Sequence, residues 1–153
     1  MDLIFWRHAE AFEALKGQDD MSRALTPRGE KQAARMGQWL DRQLPEGVSV
    51  MASPSLRTEE TAKAFGRKFK LETEILPQAQ PHDLLLALGW PKAKMPVVLI
   101  GHQPVLGQTI AFLLGLPAGE CAVRKGAVWW LRSRVRDGVP QTVVVTVQIP
   151  ELL

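Results

Sequence analysis

Residues 96–104 read Pro96-Val97-Val98-Leu99-Ile100-Gly101-His102-Gln103-Pro104, and the architecture follows from them. The run Val97-Val98-Leu99-Ile100 is apolar with no polar alternation. A strand that is apolar on both faces belongs in the middle of a parallel sheet covered on both sides. The run ends in Gly101-His102, and an apolar helical stretch follows to about Leu114.

Toward the N-terminus the same alternation recurs. Leu3 to Trp6 reads as a buried strand, and residues 9 to 24, with Gly17, Asp19 and Asp20, as a loop holding one helical turn. Thr26-Pro27 is a helix start, with Thr26 at the N-cap and Pro27 at the first helical position. Ala33, Met36, Gly37, Leu40 and Leu44 then recur at helical spacing until Pro45-Glu46-Gly47 stops the helix. Val48 to Ala52 is a second strand, and Ser53-Pro54 opens a second helix running to about Phe69. Glu72 to Leu76 reads as a third strand and Pro81 to Gly89 as a short helix. Beyond Gly115 the pattern changes to two strands, Ala127 to Val135 and Gln141 to Ile149, joined at Asp137-Gly138, a hairpin signal. The expected fold is α/β: one three-layer domain over residues 1–153, with a mixed, mostly parallel sheet, helices on both faces and a C-terminal antiparallel hairpin.

Composition sets limits on function. At 46% hydrophobic and 23% charged residues, the chain is neither disordered nor fibrous. The single cysteine, Cys121, forms no internal disulfide and reads as an inert small residue. No apolar stretch approaches the ~20 residues a bilayer crossing needs, and no signal-type segment opens the chain, so a soluble cytoplasmic protein without a membrane partner is expected. A net charge of +3 suits anionic ligands.

In open parallel sheets, ligands bind beyond the carboxyl ends of the strands. There the first strand delivers Arg7-His8, the second leads into Ser53-Pro54-Ser55-Leu56-Arg57, and the central strand delivers Gly101-His102. Two arginines and two histidines thus converge on one edge. Guanidinium groups match phosphate oxygens in pairs and stay charged, whereas fixed positive charge opposes a metal cation. A transferring phosphoryl group spreads negative charge that such cations stabilise. One imidazole, if neutral, can attack phosphorus, and nearby arginines favour the neutral form; the other can donate to the phosphoryl oxygens.

Four segments carry a family resemblance: Arg7-His8-Ala9, Leu25-Thr26-Pro27-Arg28-Gly29, Ser53-Pro54-Ser55-Leu56-Arg57-Thr58-Glu59-Glu60-Thr61-Ala62 and Gly101-His102-Gln103-Pro104. In this order and spacing the chain, from residue 3 to about 148, resembles the histidine phosphatase superfamily, and its short form resembles the SixA-type phosphohistidine phosphatases. The resemblance implies a phosphoglycerate mutase-like fold and no metal or organic cofactor. It implies that His8 is the phosphorylated nucleophile, that Arg7 and Arg57 bind the phosphoryl group, and that His102 completes the pocket. Arg23 would be a peripheral phosphate or substrate contact. Ala9 stands where the family commonly has glycine. The loop Leu76-Pro77-Gln78-Ala79-Gln80-Pro81-His82-Asp83 lacks the glutamate that broad-specificity members carry as a general acid, leaving His82 and Asp83 as weak substitutes, each better read as part of a helix start. A missing acid suits an imidazole leaving group better than an alkoxide.

The implied partner is a histidine-phosphorylated protein. Alternatives are small phosphate esters, or phosphate recognition without turnover. Lys125, Arg132 and Arg134, interleaved with Trp129 and Trp130, are the best case for nucleic acid. They read better as one charged face of a strand guarded against edge pairing, with the two tryptophans on opposite sides. No motif speaks to oligomeric state.

Overall fold

A computed structural model describes residues 1–76 and 78–153. In chain order the elements are β1 (Asp2–Arg7), α1 (Pro27–Gln43), β2 (Ser49–Ala52), α2 (Leu56–Phe65), β3 (Lys70–Leu71), α3 (Pro81–Ala87), β4 (Val97–Gly101), α4 (Val105–Leu114), β5 (Val128–Arg136) and β6 (Val139–Gln148). Short 3-10 turns cover Asp20–Ser22 and Pro150–Leu152. The six strands form one sheet in the order β3-β2-β4-β1-β5-β6. The β3–β2, β2–β4 and β4–β1 pairs are parallel; β1–β5 and β5–β6 are antiparallel.

All of β4 is buried, as its unbroken apolar run requires. The two faces of the sheet carry separate cores, because successive side chains point to opposite sides. Leu3, Phe5, Val97 and Leu99 pack against Leu84, Leu85, Leu88, Leu106 and Ile110 from α3, its C-terminal end and α4. Ile4, Trp6, Val98 and Ile100 pack against Met36, Leu40, Ala62 and Phe65 from α1 and α2. Side chains of this size each contribute about 1.5–3 kcal/mol when fully buried, which makes β1 and β4 the rigid centre of the molecule. Trp129 joins the first core and Trp130 the second.

The helix start at Thr26 forms as expected: its hydroxyl accepts from Gly29 N at 3.0 Å, with Pro27 at the first position. The start of α2 lies later than Ser53-Pro54, because Ser55 and Thr58 exchange side-chain and backbone hydrogen bonds in a capping box. That helix also stops at Phe65, short of Phe69, where Gly66 turns the chain at φ 80°. The third strand is Lys70–Leu71 rather than Glu72 to Leu76. Its partner β2 ends at Ala52, and the pairing among the described residues stops after Glu72 N donates to Ala52 O at 2.9 Å. Ile75 instead turns inward and is buried. Asp137 and Gly138 both take positive φ, 52° and 77°, the turn a two-residue hairpin favours. The charged face of β5 does not guard an edge: β5 lies between β1 and β6, and the edge is the uncharged β6. Arg132 is spent on Asp2, at 2.7 and 2.8 Å. Among the described residues no helix is long and apolar enough to cross a membrane.

Candidate active site

The strands β1, β2 and β4 run parallel and end together, so the segments that leave them meet at one edge of the sheet. Backbone bonds lock the exits: His8 N donates to Gly101 O at 3.1 Å, and Ser53 N to Ile100 O at 3.0 Å. His8 and His102, their ring centroids 5.4 Å apart, are 5% and 3% exposed. Arg57, in the first turn of α2, reaches back to this edge and is 4% exposed; its Nη2 lies 3.2 Å from His102 Nδ1. Arg7 donates from Nη1 to Val123 O at 2.7 Å. The structure therefore brings together the four side chains expected from the sequence.

Hydrogen-bond chemistry fixes both tautomers. His8 Nδ1 is 2.8 Å from Ala9 O, which only accepts, so Nδ1 carries the proton and Nε2 keeps its lone pair. His102 Nδ1 faces Arg57, which only donates, so the His102 proton is on Nε2, donating to Ser53 Oγ at 3.1 Å. Ser53 in turn donates to Ile75 O.

Burial pushes His8 down from 6.5 to about 3; the charges of His102, Arg57 and Arg7 add to this and the Ala9 carbonyl opposes it. Burial, and then Arg57, push His102 down to about 4, against the opposing pull of Asp20. Both imidazoles are neutral near pH 7, and desolvation outranks the arginines as the cause. Among the described residues, Arg7 Nε and Arg57 Nε are buried without an acceptor. Buried donors of this kind are rare, and a phosphoryl group would supply acceptors for both.

Sequence reasoning missed Asp20. Its carbonyl accepts from Arg57 Nη1 at 2.7 Å, and its carboxylate takes Arg57 Nη2 at 3.0 Å and Arg23 Nε at 2.9 Å. Burial pushes the Asp20 carboxyl up, but Arg57 and Arg23 outweigh it and hold the group below the usual carboxylate range. The one available signal was its position three residues before Arg23, beside the same 3-10 turn. Arg23 itself reaches the site through Asp20, and its Nη1 donates to Phe12 O at 2.9 Å.

A family model described as "Histidine phosphatase superfamily (branch 1)" matches residues 3–83, more than half of the chain. The chain belongs to the histidine phosphatase superfamily. It is 30% identical over 130 residues to the phosphohistidine phosphatase SixA homolog of Haemophilus influenzae, covering 75% of this chain and 78% of that protein. It is 32% identical over 121 residues to phosphohistidine phosphatase SixA of Escherichia coli (strain K12), covering 74% of each. The fold matches the protein histidine phosphatase SixA solved with tungstate, with a TM-score of 0.78 at 21% identity over 99% of both chains.

The alanine at position 9 is fully buried, and its N–H donates to Thr61 Oγ1 at 3.1 Å, which fixes the turn after His8 from α2. Asp83 accepts from Gln80 N at 3.0 Å and pairs with the exposed His82 at 3.1 Å. Neither residue hydrogen-bonds to the four central side chains. Pro77, in the same loop, lies outside the described residues. Burial pushes the half-buried Cys121 thiol up, away from nucleophilic use. Among the described residues, no three His, Cys, Asp or Glu side chains gather as a metal ion would require.

Proposed function

We propose that this single-domain chain is a phosphohistidine phosphatase that works through a covalent phosphohistidine on His8. The observation that carries this reading is a buried, neutral His8, its Nδ1 proton held by Ala9 O, close enough to Arg7 and Arg57 to feel both charges. His8 Nε2 attacks phosphorus, and the P–N bond to the substrate imidazole breaks. That imidazole leaves neutral once its other nitrogen, exposed to solvent, has taken up a proton. Water then attacks phosphorus, the P–Nε2 bond breaks, and phosphate departs with the proton that water gives up. Arg7 and Arg57 bind the equatorial oxygens. His102, neutral, accepts from Arg57 at Nδ1 and donates from Nε2 to Ser53 Oγ, and so holds the Arg57 guanidinium toward the phosphoryl oxygens.

Among the described residues no carboxylic acid is placed to protonate a poor leaving group, since Asp20 is held ionised and Asp83 serves its helix. This favours N–P over alkyl O–P substrates. The activity named for the two curated relatives supports the same choice, and the tungstate in the SixA structure supports an oxyanion in this fold. The proposed substrate is a histidine-phosphorylated protein. The reaction uses no metal, because the arginines supply the charge, and the proposed setting is the cytoplasm, where a lone free thiol stays reduced.

A panel of phosphohistidine, phosphoramidate, an aryl and an alkyl phosphate, assayed with and without EDTA, tests this. The expected kcat/KM for N–P substrates exceeds that for the alkyl ester by about 100-fold or more, unchanged by chelator. Equal rates, or loss of activity in EDTA, would contradict it.

A further inference from the structure

A groove of about 250 Å³ is walled by Glu10, Arg28, Gln32, Arg124, Lys125 and Glu151. Arg28, Gln32 and Glu151 also wall a second hollow of about 140 Å³, which runs on along α1 past Lys31 and Arg35. The groove backs directly onto the catalytic turn. Lys125 precedes Gly126, whose N–H donates to the carbonyls of Arg7 and His8 at 3.2 and 3.0 Å. Arg124 follows Val123, the acceptor for the Arg7 guanidinium. Glu10 N donates to Gln32 Oε1 at 3.0 Å, joining α1 to the residue two beyond His8.

Across the groove and the adjoining hollow, five cations face two carboxylates. Arg28 spans both carboxylates loosely, at 3.9 Å from Glu10 and 4.0 Å from Glu151, and is 69% exposed. Lys31, Arg35, Arg124 and Lys125 are exposed and, among the described residues, have no carboxylate within ion-pair distance. The described wall residues include no aromatic side chain for bases to stack on, so nucleic acid fits poorly. Acidic side chains on a protein fit well, each meeting an unpaired cation at a solvent-exposed rim.

We infer that this groove docks the acidic residues flanking the phosphohistidine of a protein substrate. The inference rests on the phosphatase reading above and extends it to substrate choice. The test uses phosphoramidate and two synthetic phosphohistidine peptides, one flanked by glutamates and one by lysines. Each is assayed with the wild-type protein and with a Lys31→Glu/Arg35→Glu/Lys125→Glu variant. Wild type should favour the glutamate peptide by about 10-fold in kcat/KM at low salt, with the gap closing as salt is added. In the variant the preference should vanish or reverse, with phosphoramidate turnover unchanged as evidence of an intact pocket. Equal turnover of the two peptides by wild type overturns the docking inference and leaves the phosphatase reading standing. A parallel loss of phosphoramidate turnover in the variant overturns it too. Tighter binding of a single-stranded oligonucleotide than of the glutamate peptide would assign the groove to nucleic acid instead. Absence of turnover of any N–P substrate by wild type overturns the phosphatase reading, and this one with it.

Discussion

Asp20 grips Arg57 twice, through its carbonyl at 2.7 Å and its carboxylate at 3.0 Å. The carboxylate side chain is 57% exposed while the guanidinium side chain is 4% exposed. Solvent screens the Asp20 charge, so its repulsion of a bound phosphoryl group is weak, and its grip on the buried arginine dominates. Asp20→Ala should therefore weaken vanadate binding by about 10-fold, and Asp20→Asn, which keeps a carbonyl acceptor, by less. Calorimetric titration with vanadate checks the order; tighter binding by the alanine variant would mean that repulsion wins.

Arg57→Lys should lower kcat/KM on phosphoramidate by about 100- to 1,000-fold. An ammonium cannot hold Asp20, His102 and a phosphoryl oxygen in one plane as the guanidinium does. Steady-state kinetics beside a thermal melt would separate this loss from unfolding.

The two low histidine values make stability depend on pH. Both imidazoles have folded values, about 3 and about 4, below the unfolded value of 6.5. Between those limits the unfolded chain binds more protons, so stability rises with pH there and levels off above about pH 6.5. On acidification each histidine should cost up to about 1.4 kcal/mol per pH unit below that point. Urea melts from about pH 7 to pH 4.5 check this, and a His8→Gln/His102→Gln variant should show a flatter profile. NMR titration of the wild type should find both rings still neutral at about pH 5.5.

The start of α1 is pressed against the turn after His8. A Cβ added at Gly29 would lie 2.0 Å from Glu10 O, a backbone atom that cannot swing aside. Gly29→Ala should destabilise the protein by about 1–3 kcal/mol and shift the His8 turn enough to lower activity. Denaturant unfolding measures the first effect; wild-type stability would show that α1 is free to move outward.

Much of this site was legible because the chemistry sits where strands stop. Val97 to Ile100 announced a central strand, and Arg7-His8, Arg57 and Gly101-His102 stood out as the residues delivered at strand ends. The capping serine of α2 was misplaced because Ser53 and Ser55 flank Pro54 alike, and only the capping box with Thr58 tells them apart. The third strand failed because its extent depends on where β2 ends, which local pattern does not carry. The charged run in β5 suggested an edge, yet strand order is a tertiary fact. Asp20 was hidden for the same reason: its spacing to Arg23 is a local signal, but the Arg57 it also holds lies 37 residues away in sequence.

The central claim is that phosphorus becomes bonded to His8. Wild-type protein should be mixed with radiolabelled phosphoramidate, quenched within milliseconds, denatured in base, and mapped by mass spectrometry. The account predicts label on His8 that is lost in acid and kept in base, and neither label nor turnover in His8→Ala. Label on another residue, or full turnover by His8→Ala, would contradict it.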